Sequence, residues 1–598
     1  MEKISDYIFR YLHDTIGVRD VFMLPGGGCM HLVDSLGKSK LRYVCNLHEQ
    51  ASTIAADAAG QYTNNLGVAL VTAGPGSTNA ITGVAGSWID STPVLVLSGQ
   101  AKHTELMEKR GMRQMGIQEV DIVSMVSPIT KYAVCVKDPA RIRYELEKAV
   151  YLARTPRKGP VWIDIPVDVQ GAMIEPEKLP GFTPDAVPDS APAVDKAVKE
   201  ILTAFAAAER PAVLAGNGIR STGAEKLLVR FAEKYGIPVM TSWKAADMLP
   251  ENHPLYAGRP GIIASRGANI VQQTADVLLL LGTRLDLCQT GFNHPNFAVN
   301  AKKFIIDIDQ PEMDKLEMDF AGKYAIDAGK FLRAACENDT VAMPDWSAWQ
   351  KHIQQLKADY PVITADMVKE SDAKINLYAF IEALSEVLCD GDLLIPGSSG
   401  ACAEFVMQAI KVNADVRIFN TPGLGSMGFG LPAVIGGAVV SGKRTIGIIG
   451  DGGLQHNIQE FQTLQRLQLP VKFFVLNNGG YGSIVNMQKA RFDGHFVASN
   501  AQSGLTLPDL SKLVPAYGLN YTVLDKQRSL AAGIKAVLDT PGTVICEVMT
   551  DPAVQCAPRL ASEMLPDGRM VSKPMEDLAP FLPRAEFDAL MAWKAPEK

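Results

Sequence analysis

The sequence lacks the features that mark membrane-spanning, secreted or nucleic-acid-binding proteins. No uninterrupted apolar run approaches the ~20 residues that cross a bilayer, and the start, MEKISDYIF, has no long apolar core of the kind a secretory signal contains. The net charge is −7, from 58 basic and 65 acidic residues, and no block of basic residues is present. We therefore expect neither a membrane nor a nucleic acid as a partner.

Patterns of paired cysteines are also missing. The nine cysteines are scattered along the chain, are odd in number and form no C-x-x-C motif. This pattern disfavours a disulfide framework or a zinc site and predicts reduced thiols in a cytoplasmic protein. Hydrophobic residues make up 47% and charged residues 21% of the chain, which excludes wholesale disorder and is typical of a globular enzyme.

Proline marks the clearest boundary in the chain of 598 residues. Five prolines fall between positions 171 and 192, and because proline removes a backbone donor, this stretch predicts a linker. A weaker boundary contains Pro344 and a polar, helix-like segment. We predict domains at 1–172, 193–336 and 373–552, linkers at 173–192 and 337–372, and a C-terminal tail at 553–598.

All three predicted domains repeat one pattern, in which a short apolar run is followed by a glycine turn and a helical segment. Examples are GVALVTAGPGSTNAITGVAG, AVLAGNGIRSTGAEKLLVRF and TIGIIGDGGLQHNIQEFQTL. Apolar strands that alternate with amphipathic helices predict three α/β domains, each a doubly wound parallel sheet. Ligands bind beyond the carboxyl ends of such strands, which is where the glycine turns lie.

The segment 450–478 carries the most chemical information. A buried strand ends in Gly-Asp-Gly-Gly at 450–453, and a second apolar run, VKFFVLNN, ends in Asn-Asn at 477–478. Because one helix separates the strands, we expect the Asp451 carboxylate and the Asn478 amide oxygen at one sheet edge, as oxygen ligands suited to Mg²⁺. The glycines would let backbone N–H groups approach a diphosphate. For Gly-Asp-Gly alone, a tight turn with an aspartate N-cap is the alternative.

These residues resemble the diphosphate motif of thiamine-diphosphate enzymes, in which Gly-Asp-Gly is followed after about thirty residues by Asn-Asn. The resemblance implies that Asp451, Asn478 and the carbonyl of Gly480 bind the metal. It also implies a catalytic glutamate in the first domain, which protonates the pyrimidine ring of the cofactor. His-Glu-Gln at 48–50 follows an apolar run and places Glu49 at a helix start. A glutamate there is otherwise common, because it complements the helix dipole.

Further stretches resemble acetolactate synthases, among them PGGG (25–28), TAGPGSTNAITG (72–83), QEVDIVSMVSPITKYA (118–133) and GLGSMGFGLPAVIG (423–436). The resemblance implies a pyrimidine-binding, a central and a diphosphate-binding domain. It places Gln100 and Gln118 on the substrate side and Met427 against the cofactor, which makes these three, with Glu49, the implied catalytic residues. The implied cofactor-binding residues are Gly27, Gly28, Gly74, Gly76, Asn79, Gly397, Ser398, Ser399, Gly425, Met427, Gly450, Gly452, Gly453, Tyr481, Gly482, Ser483 and Ile484.

Most departures from the family pattern fall on the acceptor side. Ile117 stands where the family has Phe, Tyr481–Ile484 replaces Leu-Gly-Met-Val, and Gly-Ser-Ser at 397–399 replaces the family's Gly-Gln-His at the diphosphate. About six extra residues precede Gln118 and include Lys109, Arg110 and Arg113. These cations suit an anionic acceptor, and a solvated surface loop is the alternative.

The central domain resembles the part of acetolactate synthases that holds FAD. The resemblance implies Gly216 and Gly218 at the dinucleotide's diphosphate, Arg284 beside the dinucleotide, and Asp307 or Asp309 at a ribose. The glycine spacing does not match the dinucleotide-binding fingerprint. A domain kept as an empty scaffold is the alternative to an FAD site.

Together these features predict a thiamine-diphosphate-dependent carboligase. It would decarboxylate a 2-oxo acid, with pyruvate as the leading candidate, and transfer the two-carbon unit to a second carbonyl compound. The alternatives are a thiamine-dependent hydrolase or lyase of a diketone or acyl-CoA, a carboligase with a keto-sugar acceptor, and a non-catalytic scaffold. The absence of a His-His dipeptide disfavours simple aldehyde release. The resemblance implies a dimer or tetramer in which Glu49 and Asp451 of different chains meet, and it leaves open whether a regulatory subunit is needed.

Overall fold

A computed structural model describes residues 1–107, 111–186 and 189–594. Lys109 and Arg110, which the sequence analysis named, therefore lie outside the described residues. Three parallel sheets with helices on their faces confirm the predicted fold class.

The first domain is built on a six-stranded parallel sheet. In spatial order, its strands are Arg42–Cys45, Asp20–Met23, Gly67–Val71, Val94–Gln100, Val161–Pro166 and Tyr132–Cys135. The central strands are buried along their whole length, which requires apolar residues on both faces. The helices are Ile4–Asp14, Met30–Lys38, Glu49–Thr63, Pro75–Asn79, Ile81–Ile89, Ile122–Val126, Ile142–Arg154 and Val167–Gln170. Glu2–Lys3 pairs antiparallel with Met173–Ile174 at the start of the predicted proline-rich linker.

The central domain has a five-stranded parallel sheet. Its strands, in spatial order, are Val239–Thr241, Pro211–Ala215, Val277–Leu281, Lys302–Asp307 and Gly322–Ala325. Its helices are Ala191–Ala206, Gly218–Ser221, Glu225–Tyr235, Arg266–Thr274, Gln310–Asp314 and Ala328–Glu337. Helix Ser347–Asp359 lies in the stretch predicted as the second linker, and its residues Trp349, Ile353 and Leu356 are buried in the central core.

The third domain again has six parallel strands. In spatial order they are Arg417–Ile418, Leu393–Pro396, Thr445–Gly450, Val471–Asn477, Val544–Met549 and Asn520–Leu524. The helices are Leu377–Val387, Ala401–Ala409, Gly430–Ser441, Asp451–Leu454, Phe461–Leu467, Gly482–Arg491, Leu510–Ala516 and Leu530–Asp539. The tail adds the antiparallel strands Ser562–Met564 and Met570–Ser572 and the helix Arg584–Met591.

The first and third sheets share one strand order. Counted along each domain, both run 2-1-3-4-6-5, and the central sheet runs 2-1-3-4-5. The order reverses between strands 1 and 3, and α/β sheets bind ligands in the crevice at such a switch point. The loops that meet there are 24–28 and 72–76 in the first domain, 216–218 and 282–284 in the central domain, and 397–399 and 450–453 in the third.

The first and third domains also share a hydrophobic core. Helices Glu49–Thr63 and Gly430–Ser441 pack so closely that a Cβ on Gly436 would lie 2.3 Å from the carbonyl oxygen of Ala55. The tail returns to the central domain, where the ring of Trp593 stacks on His352 with centroids 4.3 Å apart. Within the described ranges, no helix is both long enough and apolar enough to cross a membrane.

Candidate active site

The predicted metal ligands lie at the switch point of the third sheet. Asp451 is buried and accepts N–H bonds from Gly452 at 2.8 Å on Oδ1, and from Gly479 and Gly480 at 2.9 and 3.1 Å on Oδ2. These bonds join the two loops that the sequence placed at one sheet edge. Burial raises the pKa of Asp451 to about 6, because a low-dielectric surrounding disfavours the charged form.

Asn478 contributes an oxygen that the protein leaves unsatisfied. Its Oδ1 is buried without a hydrogen-bond partner, which costs free energy unless a ligand completes it. The described residues contain no cluster of three or more His, Cys, Asp or Glu side chains that could hold a metal ion. A Mg²⁺ ion here would therefore take Asp451, Asn478 and the Gly480 carbonyl and fill its remaining positions with phosphate and water oxygens, which it favours. The donor set fits the ion.

Glycine and serine residues surround the predicted metal site. A Cβ on Gly452 would lie 2.5 Å from the ring of Tyr481, so a side chain at this position would displace that ring. Ser398 is buried, and its Oγ accepts the N–H of Thr421 at 3.1 Å. Gly425 has a φ of +64°, which glycine adopts without strain. The other predicted residues of this half lie on the same loops or begin the next helix: Gly397, Ser399, Met427, Gly450, Gly453, Gly482, Ser483 and Ile484.

The second half of the predicted site lies at the switch point of the first sheet. Glu49 begins helix Glu49–Thr63, is buried, and accepts a hydrogen bond from Nδ2 of Asn79 at 3.0 Å on Oε2. A Cβ on Gly76 would lie 3.4 Å from Oε1 of Glu49. The amide of Gly28 donates to Oγ1 of Thr72 at 3.1 Å. The structure thus gathers Glu49, Gly28, Gly76 and Asn79, with Gly27 and Gly74 on the same loops.

Gln100 is fixed by a buried carboxyl group that the sequence analysis missed. Its Nε2 donates to Oδ2 of Asp164 and to the carbonyl of Val120, both at 3.0 Å. Asp164 also accepts from Oγ of Ser98 at 2.5 Å, and burial raises its pKa to about 7. In the sequence, Asp164 could have been recognised as a functional candidate because it is an aspartate inside the apolar strand VWIDIP.

Gln118 projects from a loop that a second missed carboxylate organises. Glu119 is buried and accepts backbone N–H bonds from Met107, Met115 and Gly116 at 2.5, 3.0 and 2.9 Å. Gln118 is exposed with a φ of +58°, and its carbonyl oxygen would lie 2.5 Å from a Cβ on Gly74. Arg113 of the predicted insertion is exposed. Glu119 therefore joins Met107 to residues 115–116, and Gln118 contacts the Gly74 turn.

The two halves touch within a single chain, but their carboxylates, Glu49 and Asp451, both lie outside a large cavity between the domains. Nδ2 of Asn457 donates to Oε1 of Gln50 at 3.3 Å, and Glu460 accepts from Nδ2 of Asn46 at 3.1 Å, so the domains touch beside Glu49. A large cavity between the domains, however, is lined by neither Glu49 nor Asp451. Large apolar side chains are exposed around both halves: Met30, Leu47 and Ile117 in the first domain, and Leu424, Ile484 and Met487 in the third.

That cavity, of about 1,020 Å³, lies between all three domains. Its wall includes Gly218, Arg284 and Asp307 of the predicted FAD residues and Ser398, Ser399 and Gly425 of the predicted diphosphate residues. Its volume reaches the upper end of ordinary ligand sites, enough for a dinucleotide. Gly218 approaches Gly282 so closely that a Cβ would lie 2.7 Å away, which keeps the turn free of side chains. The residues at this turn therefore fit a dinucleotide.

Two predicted FAD residues lie outside the lining of this cavity. Gly216 is buried behind the turn, where a Cβ would lie 2.3 Å from the carbonyl oxygen of Gly282. Asp309 is engaged with Arg157, whose Nη1 donates to it at 2.9 Å. Of the two aspartates proposed for a ribose, Asp307 is the one on the cavity wall.

Comparison with protein families gives matches in all three domains. Residues 2–125 match the thiamine pyrophosphate enzyme N-terminal TPP binding domain, 198–334 match its central domain, and 398–548 match its C-terminal TPP binding domain. These matches fall on the three sheets described above.

Comparison with individual proteins gives similarity over almost the whole chain. A probable acetolactate synthase large subunit of Methanocaldococcus jannaschii is 31% identical, covering 98% of each chain. An acetolactate synthase large subunit of Lactococcus lactis is 30% identical, covering 92% of this chain and 93% of its own. The Escherichia coli acetolactate synthase isozyme 1 large subunit is 29% identical, covering 92% and 94%.

Proposed function

Because this chain belongs to the thiamine pyrophosphate enzyme family and is similar to acetolactate synthase large subunits along nearly its whole length, we propose that it is a decarboxylating carboligase. It decarboxylates a 2-oxo acid, with pyruvate as the first candidate, and transfers the two-carbon acyl unit to a second carbonyl compound. The observation that carries this proposal is the buried, unpaired amide oxygen of Asn478 on the loop that binds Asp451.

Thiamine diphosphate, when bound, supplies a carbon nucleophile and an electron sink. The chain's own residues bind and orient it. Asp451, Asn478 and the Gly480 carbonyl hold Mg²⁺, and Ser398, Ser399 and the glycines of 450–453 surround the diphosphate. Glu49 would exchange a proton with the pyrimidine ring of the bound cofactor, and Asn79 orients the Glu49 carboxylate through the bond to Oε2.

The proposal requires a second copy of the chain. Neither Glu49 nor Asp451 lines the large cavity between the domains of one chain, and exposed apolar side chains surround both halves of the site. Exposed apolar patches of this kind mark association surfaces. We therefore propose a dimer or tetramer in which the pyrimidine-binding domain (1–172) of one chain meets the diphosphate-binding domain (373–552) of another, with 193–336 as the central domain.

FAD is part of the proposal as a ligand of the cavity between the domains. Gly218, Arg284 and Asp307 on its wall support this assignment. An absorbance scan of the purified protein for flavin bands tests it directly. All nine cysteines lie in the described ranges and are free thiols, which supports a cytoplasmic location.

The experiment that tests the function is product analysis. The purified protein, loaded with thiamine diphosphate and Mg²⁺, is given labelled pyruvate with a panel of 2-oxo acids, aldehydes and keto-sugars, and the products are identified by mass spectrometry. A carboligase releases labelled CO₂ and forms a product longer than the acceptor by two carbons. A parallel reaction offers a diketone and an acyl-CoA, and their cleavage in the absence of any such product would instead support the hydrolase or lyase alternative.

A further inference from the structure

The loop that leads to Glu49 is held by the third domain of the same chain. This loop, residues 46–48, ends at the start of the helix that Glu49 begins. Glu460 accepts hydrogen bonds from the backbone N–H of Leu47 at 2.8 Å on Oε1 and from Nδ2 of Asn46 at 3.1 Å on Oε2. The proposed function gives Glu460 no role, although it binds the residues directly before the activating acid.

Two further side chains of the third domain bind the chain on either side of Glu49. Nη2 of Arg466 donates to the carbonyl oxygen of Cys45 at 2.5 Å. Nδ2 of Asn457 donates to Oε1 of Gln50 at 3.3 Å. Together with the carboxylate described above, these groups come from one short segment of the third domain. The position of Glu49 is therefore set by the third domain as well as by its own.

A buried carboxylate is a costly way to join two domains. Glu460 is fully buried, and it accepts a third hydrogen bond from Oγ1 of Thr463 at 2.6 Å. Its three donors are two amides and a hydroxyl, all uncharged, and burial raises its pKa. An apolar core already holds the two domains together, so their packing does not require a charge here. What the glutamate adds is a pair of oxygens that fixes three donors at once and so specifies where the loop lies.

We propose that Glu460 is a positioning residue for Glu49. By holding loop 46–48, it places the Glu49 carboxylate, which Asn79 orients, where a proton can pass between this carboxylate and the cofactor. This inference rests on the proposed function and adds a residue to its site. Asp451 begins the helical segment that ends at Glu460. In the proposed assembly, this one segment would therefore bind the metal of one site and fix the acid of another.

The test compares side-chain length with charge at position 460, in the enzyme loaded with thiamine diphosphate and Mg²⁺. Glu460→Gln keeps the length and an oxygen for the Leu47 N–H, so kcat for CO₂ release from pyruvate should stay within about threefold of the wild type. Glu460→Asp keeps the charge but is one carbon shorter, and Glu460→Ala removes every contact, so kcat should fall at least about tenfold in both. The KM for pyruvate and the Kd of thiamine diphosphate should change less than about threefold, because the proposed binding residues stay in place.

Hydrogen–deuterium exchange of backbone amides, measured by mass spectrometry, gives a readout that is independent of turnover. The peptide that covers 46–50 should exchange at least about tenfold faster in Glu460→Asp and Glu460→Ala, and near the wild-type rate in Glu460→Gln. Arg42→Ala is the matched control, since Nη2 of Arg42 donates to the carbonyl oxygen of Val439 in the third domain at 2.6 Å, at the far end of the strand before the loop. It should lower the urea midpoint and leave both kcat and the exchange of 46–50 unchanged.

The outcomes separate the inference from the function on which it rests. If Glu460→Gln is as slow as Glu460→Ala, the residue moves a proton and the positioning role is overturned. Wild-type kcat in Glu460→Asp or Glu460→Ala, or unchanged exchange of 46–50 in both, would also overturn the inference alone. If the alanine variant does not fold, the aspartate and glutamine variants still give the comparison. Absence of CO₂ release from the wild type would overturn the proposed function.

Discussion

The carboxylate of Glu49 is oriented by the protein itself. Its Oε2 accepts a hydrogen bond from Asn79, and the neighbouring Gly76 leaves the space beside Oε1 free of a side chain. An activating acid needs this kind of fixed position, because proton transfer requires a hydrogen-bond geometry within a few tenths of an ångström.

Glu49→Gln should lose activity without losing the cofactor. The amide has the same size and keeps the contact with Asn79 but cannot exchange a proton, so kcat for CO₂ release should fall at least about a hundredfold. Titration calorimetry with thiamine diphosphate and Mg²⁺ should give a Kd within a few-fold of the wild type. Equal turnover by the two proteins would refute the assigned role.

The buried carboxyl of Asp164 predicts a pH-dependent stability. Its pKa of about 7 in the folded protein lies above the ordinary value in an unfolded chain, about 3.9. Between these values the folded state holds the proton and the unfolded state does not, so this group's contribution to the free energy of unfolding decreases as pH rises towards 7.

Asp164→Asn removes that proton equilibrium while keeping the side chain's size and an oxygen that accepts the hydrogen bond from Nε2 of Gln100. The free energy of unfolding of the variant, relative to wild type, should therefore increase by about 1 kcal/mol per pH unit between pH 5 and 7. Urea unfolding of both proteins at several pH values measures this difference in the free energy of unfolding. A difference that stays constant across this range would contradict the assignment.

At the scale of elements, the loop before Gln118 depends on one carboxylate. Glu119 accepts three backbone N–H groups of that loop, which leaves them unsatisfied when the side chain is removed. Glu119→Ala should lower the free energy of unfolding by about 1–3 kcal/mol and speed proteolytic cleavage within 101–119. Thr104→Ser, an exposed change in the same segment, is the control and should cleave at the wild-type rate.

The sequence identified the glycine turns but not their long-range contacts. The alternation of apolar runs and helices predicted the three sheets, and motif spacing placed Asp451 with Asn478 because both follow adjacent strands. Asp164 escaped notice because its role comes from contacts with Ser98 and Gln100, which lie far from it in the chain. The same reason explains why the sequence could not tell that Asp307 faces the cavity while Asp309 binds Arg157.

At the scale of the whole molecule, the proposed pairing of Glu49 of one chain with Asp451 of another predicts complementation between two inactive variants. A hybrid of one Glu49→Gln chain and one Asp451→Asn chain contains one site with both native residues. Mixing the two proteins under conditions that exchange subunits should therefore restore about a quarter of the wild-type activity, given random pairing.

Each variant alone, taken through the same exchange, is the control and should stay inactive. Activity that does not recover in hybrids isolated by differently tagged chains would place both residues in one chain's site.

Because the first and third domains have the same strand order, each chain contains two domains of one architecture beside its central domain. A two-fold assembly of such chains then arranges four copies of one architecture, with every cofactor cleft bordered by two of them. An ancestral protein of a single such domain could have built the same clefts from four identical subunits. Fusion and divergence would then have left the acid on one copy and the metal ligands on the other.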